Sequence, residues 1–143
     1  MKSPYIRAVD AEDRWYVYDA SKHVLGRMAA KIAMQLQGKD RPAYTPNELT
    51  GAHVVVINAD KVVMTGTKLE TQTYPQYSGY AGGLYEHSID LLRERRPHDI
   101  VKLAVRRMLP KTTLGRKMLS RLKVYAGTEH PHTAQKPTLV ETL

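Results

Sequence analysis

Between Trp15 and Ile57 the hydrophobic residues change period twice, and this constrains the possible folds more than any other feature of the chain. Trp15-Tyr16-Val17-Tyr18 is aromatic and β-branched and reads as a strand that ends at Asp19. From Leu25 the spacing becomes helical: Leu25, Met28, Ala29, Ile32, Ala33 and Leu36 form one apolar stripe, with Arg27, Lys31 and Gln35 on another face. Gly38 is placed to end that helix in the left-handed conformation, and either Ser21 or His23 could cap its start. Val54-Val55-Val56-Ile57 is apolar at every position, as expected of a central strand covered on both faces. Strand, helix and strand make one βαβ unit, which sterics hold right-handed. The fold class expected is therefore α/β.

The remaining segments fit around that unit. Arg41-Pro42-Ala43-Tyr44-Thr45-Pro46 cannot carry a helix onward, because a residue before proline avoids the α region. Asn58 to Lys61 reads as a turn, followed by a short strand through Val62, Val63 and Met64 that ends at Gly66. Residues 67–87 are polar and rich in Tyr and Gly, suggesting loop and irregular strand. A short helix is expected from Ser88 to Arg96. A second starts with Pro97 in its first turn, turns Ile100, Leu103, Ala104 and Met108 inward, and ends before Pro110. Leu122 to Tyr125 alternates like a last strand. With 143 residues the chain suits one domain: an arm over 1–13, an α/β core over 14–126 and an extended tail over 127–143. No apolar run is long enough to cross a bilayer, and no secretory signal pattern opens the chain. Cysteine is absent, compatible with a reducing cytosol.

Positive charge is concentrated in one stretch. The formal net charge is +8, yet residues 93–123 alone hold eleven Lys and Arg against Glu94 and Asp99. A second cluster spans 22–41, where Lys22, Arg27, Lys31, Lys39 and Arg41 face only Asp40. Lys102 and Arg106 stand one helical turn apart, as do Arg27 and Lys31; each like-charged pair costs about 0.2–0.5 kcal/mol in an isolated helix. An anionic partner converts that cost into binding. Lys111-Thr112-Thr113-Leu114-Gly115-Arg116-Lys117 adds hydroxyls and a glycine among three cations, a turn or helix start suited to phosphate contact. Such an excess of charge favours nucleic acid or an anionic membrane surface.

Motifs for catalysis are missing. Leu25-Gly26-Arg27 and Gly79-Tyr80-Ala81-Gly82-Gly83 match neither G-x-G-x-x-G nor the phosphate loop that ends in Gly-Lys-Ser/Thr. His130 and His132 lack a third ligand at a usual spacing, so a surface or RNA-contacting tail is preferred to a metal site. Asp60 and Lys61 read as turn residues rather than a catalytic pair. The expectation is a protein that is not an enzyme, with no cofactor, no metal, no small-molecule substrate and no membrane.

Taken in order, the local patterns resemble the bacterial form of the large-subunit ribosomal protein L-thirteen family over nearly the full chain. The most specific block is Met108-Leu109-Pro110-Lys111, then Leu114-Gly115-Arg116 and Leu122-Lys123-Val124-Tyr125-Ala126-Gly127, running into Glu129-His130-Pro131-His132 and Ala134-Gln135. Trp15-Tyr16-Val17, Asp19-Ala20, Leu25 to Ala29, Tyr44-Thr45-Pro46, Asn58 to Lys61, Thr65-Gly66 and Ser78-Gly79 with Gly82-Gly83 are similar as well. Arg107, Thr112-Thr113 and Pro75-Gln76 depart from the family pattern.

The resemblance implies a three-layer α/β/α domain around a small, mainly parallel sheet. It also implies binding to large-subunit ribosomal RNA early in assembly, beside neighbouring ribosomal proteins in the cytoplasm. Structured RNA is read largely through backbone, 2′-hydroxyl and shape, and arginine suits bidentate phosphate contact. The RNA-contacting residues expected are Arg27, Lys31, Lys39, Arg41, Arg106, Lys111, Arg116, Lys117, Arg121 and Lys123, followed by Tyr77, Tyr80, Arg107, His130 and His132. Two other readings are open at this point: a free-standing RNA-binding translational regulator, and a nucleotide-binding enzyme on a Rossmann-like sheet.

Overall fold

The structure, a computed structural model, describes residues 5–142. Its centre is the expected βαβ unit. Strand β1 (Trp15–Asp19) runs parallel to β2 (His53–Ile57), with Val17 opposite Val55. Helix α1 (Leu25–Gln37) crosses between them, burying Leu25, Met28, Ala29, Ile32, Ala33 and Leu36. Gly38 closes that helix at φ 79°, and the N–H groups of Gly38 and Lys39 return to the carbonyls of Gln35 and Met34. Gly51 then passes so close to the helix end that a Cβ there would lie 1.8 Å from the Leu36 carbonyl oxygen. Only glycine lets the chain turn from helix to strand at that distance.

Strand β5 (Leu122–Val124) pairs parallel with β2 on its other side, so Val54 to Val56 are central and fully buried. The sheet has a fourth member that the sequence did not announce. In the tail, β6 (Thr138–Leu139) pairs parallel with β1, giving the order β5-β2-β1-β6. The tail is therefore part of the sheet as well as a cover for it.

Helix α4 (Pro97–Met108) packs along α1, and α5 (Thr113–Ser120) joins them; Ile100, Val101, Val105 and Met118 meet Tyr18, Val54 and Val56 in one core. Each side chain fully buried there contributes about 1.5–3 kcal/mol. The opposite sheet face carries Trp15, Val17, His53 and Val55. The C-terminal segment lies over it, with the His132 ring 5.1 Å from that of Trp15. The mixed α/β architecture around a parallel sheet is the one expected.

Several local expectations need correction. Gln35 does not share an exposed face with Arg27: it is buried, and its Oε1 accepts from the Tyr18 hydroxyl at 2.8 Å. Neither Ser21 nor His23 caps α1. Val24 holds that position without a side-chain bond, while Ser21 donates to Asp19 and His23 is buried against the tail. Val62 to Met64 is not a strand; Val63 makes only an isolated bridge to Val24, after a 3₁₀ turn over Ala59–Lys61. Residues 67–87 are more regular than expected. A single turn of helix, α2 (Lys68–Thr71), leads into an antiparallel hairpin of β3 (Thr73–Tyr77) and β4 (Leu84–Ser88). Helix α3 (Ile89–Arg95) follows, its Leu91 N–H donating to the Ser88 hydroxyl as a cap.

Candidate nucleic-acid interface

Helix α4 is the spine of the basic surface. Its inner side is held by Ile100, Val101 and Val105, so helical geometry turns Arg106 and Arg107 out to solvent and leaves Lys102 half-exposed. Three hollows adjoin it. The largest, about 900 Å³, lies between the hairpin, α3 and α4, and is lined by Arg95, Arg96, Lys102 and Arg106 among others. A shallower one of about 490 Å³ follows the edge strand β5 and includes Lys102, Arg116 and Lys123. Lys102 and Leu119 line both, so the two hollows adjoin one another across α4 and α5. A small third hollow, about 170 Å³, places Arg107 beside Gly26 and Lys68. The Arg107 guanidinium also lies over the Tyr74 ring, 5.7 Å from its centroid.

These cations lack carboxylate partners. Among the described residues the ion pairs are Arg7–Asp10, Arg14–Glu12, His53–Asp13 and His98–Asp99. None involves α4's Lys102, Arg106 or Arg107, or α5's Arg116 and Lys117. Asp99 is near enough in sequence to neutralise Lys102, yet it sits 3.4 Å from His98 instead. Arg93 is occupied, donating to the carbonyls of Asp60 and Val62 at 2.7 and 2.9 Å.

The stretch 111–117 is a helix start. Thr112 caps α5, its hydroxyl accepting from Gly115 N–H at 3.2 Å. Gly115 does permit a close approach, but the neighbour is backbone: a Cβ would fall 1.9 Å from the Pro110 carbonyl oxygen. Lys111, Arg116 and Lys117 remain exposed around this turn.

The second cluster is less uniform. Arg27 and Lys39 are exposed, Lys31 is half-buried, and Lys39 Nζ stands 6.0 Å from the Tyr44 ring centroid. Arg41 donates to the Glu12 carbonyl at 2.8 Å, and its Nε and Nη2 are enclosed. Arg121 donates to the Gly51 carbonyl, and burial lowers its pKa, as does nearby Arg41. These two arginines hold the arm and the 50s loop together, so much of each guanidinium is turned into the fold.

The hairpin presents Tyr77 and Tyr80, 64% and 80% exposed, with the Tyr77 backbone forming the last rung before the loop. Tyr77 lines the large groove. His130 and His132 belong to an aromatic cluster over the sheet. Trp15 stacks on His53 at 4.4 Å, and His132 Nε2 shares a 2.9 Å hydrogen bond with the Tyr125 hydroxyl. His132 N–H donates to His130 Nδ1 at 3.3 Å.

Lys102, Arg95 and Arg96 line the large groove but are not among the contact residues expected from sequence. The Lys102–Arg106 spacing signalled the first. Arg95 and Arg96 become recognisable only when the hairpin folds against α3 and α4 to form a groove.

The family model for Ribosomal protein L13 matches residues 13–131. The chain is 53% identical to the large ribosomal subunit protein uL13 of Thermotoga petrophila over 140 residues, covering 98% of this chain and 94% of that protein. It is 47% identical to uL13 of Maridesulfovibrio salexigens over 141 residues, covering 99% of each. The corresponding protein of Aquifex aeolicus is 48% identical over 141 residues, 99% of this chain and 98% of that one.

Proposed function

The chain belongs to the Ribosomal protein L13 family, and on that premise we propose that it binds large-subunit ribosomal RNA through the basic surface around α4 and α5. A member of this family is a structural, non-enzymatic protein of the large ribosomal subunit. The observation that carries the RNA reading is the set of exposed or half-exposed, unpaired cations. Lys102, Arg106, Arg116, Lys117 and Lys123 make no neutralising ion pair within the described residues. Phosphates would supply that neutralisation, and release of their counterions would supply affinity.

The proposed contact set keeps Arg27, Lys31, Lys39, Lys111 and Arg107 around this centre, with Tyr77 and Tyr80 at its hairpin rim. Arg41 and Arg121 contribute chiefly by holding backbone, and Nε and Nη2 of Arg41 are enclosed in the fold. His130 and His132 belong to the tail's attachment and reach RNA only at its surface. Arm 1–13, core 14–126 and tail 127–143 act in this proposal as one domain, placed by RNA and by neighbouring proteins of the subunit. The setting proposed is the cytoplasmic ribosome, with a part in early subunit assembly.

Gradient fractionation of a native extract tests the location: the protein should sediment with the large subunit, and recovery only in light fractions would overturn the reading. Binding to large-subunit rRNA should also weaken steeply with salt. Six to ten phosphate contacts correspond to losses of about 10³–10⁵ between roughly 50 and 200 mM salt on the duplex-DNA scale, with a shallower slope for RNA single strands. Arg116→Gln should lower the log–log salt slope by about one contact; an unchanged slope would remove Arg116 from the interface.

A further inference from the structure

The groove between the hairpin and α4 has a composition that a phosphate-binding surface does not require. Its cations, Arg95, Arg96, Lys102 and Arg106, stand around an apolar floor that includes Leu91, Leu92 and Leu103, with the Tyr77 ring at the rim. At about 900 Å³ it falls in the range of roughly 300–1,000 Å³ typical of sites that enclose a small organic group. A duplex would leave the floor unused, because its base faces are hidden in the stack and only backbone, 2′-hydroxyls and base edges are offered. An unpaired nucleotide offers a flat apolar face together with a phosphate. It fits a leucine floor, an aromatic rim and free guanidinium groups at once.

We propose that this groove binds an extruded, single-stranded stretch of RNA, with one base lodged against Tyr77 and the leucines and its flanking phosphates on Arg95, Arg96, Lys102 and Arg106. The proposal rests on the RNA reading above and assigns this part of the surface to unpaired rather than helical RNA. Since Lys102 also lines the hollow along β5, the next phosphates of the strand pass toward Arg116 and Lys123. Asp99 also lines the groove and disfavours any path directly over the start of α4. An acidic segment of another protein is the competing occupant. Charge alone would suit it, but the chain's own partner class and the aromatic rim favour a base.

The test uses the full chain and a hexamer of uridines carrying one 2-aminopurine, a fluorescent base that dims when it stacks. Binding should quench the probe. Tyr77→Ala should weaken hexamer binding about five-fold or more, the scale of one lost base–aromatic stack, and Tyr77→Phe should restore it. Tyr85→Ala, an exposed hairpin residue outside the groove lining, serves as control and should leave binding within two-fold. Both positions are exposed, and circular dichroism checks that each of the three variants folds. Lack of quenching, or equal binding by Tyr77→Ala, overturns the proposal. So does displacement of the hexamer by a Glu-Leu repeat peptide at lower concentration than unlabelled hexamer, which would assign the groove to a protein segment. A chain that sediments with the large subunit without quenching the probe overturns only this inference; one that does neither overturns the RNA reading too.

Discussion

Tyr18 shows how strongly one buried hydroxyl can bind two elements. It lies on β1 with no exposed surface; burial holds its pKa well above the usual tyrosine value, and its hydroxyl donates to Gln35 Oε1. Removing the hydroxyl strands a buried amide oxygen, so Tyr18→Phe should cost about 1–3 kcal/mol, measurable as a lower denaturant midpoint with an unchanged slope. His53 makes the opposite kind of contribution. Burial, and then the charge of Arg121, depress its pKa below that of a free histidine, against a weaker pull from Asp13. Above the ordinary value of about 6.5 the ring is neutral in both states and adds no pH dependence. As pH falls below that value the unfolded chain takes up the proton first, so stability is lost until the folded ring also titrates. Thermal melts from pH 7.5 to 5 should show this loss, and His53→Gln should flatten it. An equally steep loss in that variant would place the titrating group elsewhere.

At the scale of elements, α5 depends on a contact that its sequence only half reveals. Gly115→Ala would drive a methyl group into the Pro110 carbonyl, and the first turn of the helix would have to move. Overpacking of this kind costs about 1–3 kcal/mol. Denaturant titration should show that loss, and affinity for RNA should fall because Arg116 and Lys117 move with the turn; full retention of both would mean that the helix start has room to shift. The same element shows what was legible in advance. Periodicity was enough to place β1, α1, β2 and α4, but not the inner face of α4: Val101 and Val105 are buried there, whereas Met108, expected inward, is exposed. The charge along 93–123 was also readable, since it needs only counting. The hairpin was not, because Tyr74 is its one buried tyrosine and the other side chains of its strands are mostly exposed, leaving no alternation to detect. Gln35 was misplaced for a related reason: a polar residue on a helix face reads as exposed until its partner, Tyr18, is known. Strand β6 is two residues long, shorter than any pattern, and only the register with β1 defines it. Arg41 and Arg121 look like binding residues by type, and it takes the Glu12 and Gly51 carbonyls to show their other use.

At the scale of the whole molecule, the C-terminal segment spans one sheet face and closes one sheet edge. Val140 N–H donates to Val17 at 2.9 Å, His23 Nε2 lies 3.4 Å from the Val140 carbonyl, and His132 sits between Trp15 and Tyr125. Truncation after Gly127 should therefore lower the melting temperature and redden Trp15 emission as its ring meets water; unchanged emission would show that the ring is covered without the tail. Time enters here as well. Thr138 is made roughly 120 residues after its partner Tyr16, and at about 5–20 residues per second the outer edge of β1 waits on the order of ten seconds for its neighbour. During synthesis that edge is an open template, and the chain's single tryptophan lies beside it. Refolding of the full chain followed by Trp15 fluorescence should finish later than refolding followed by helix signal, because the pairing of β6 with β1 closes the longest loop in the sheet.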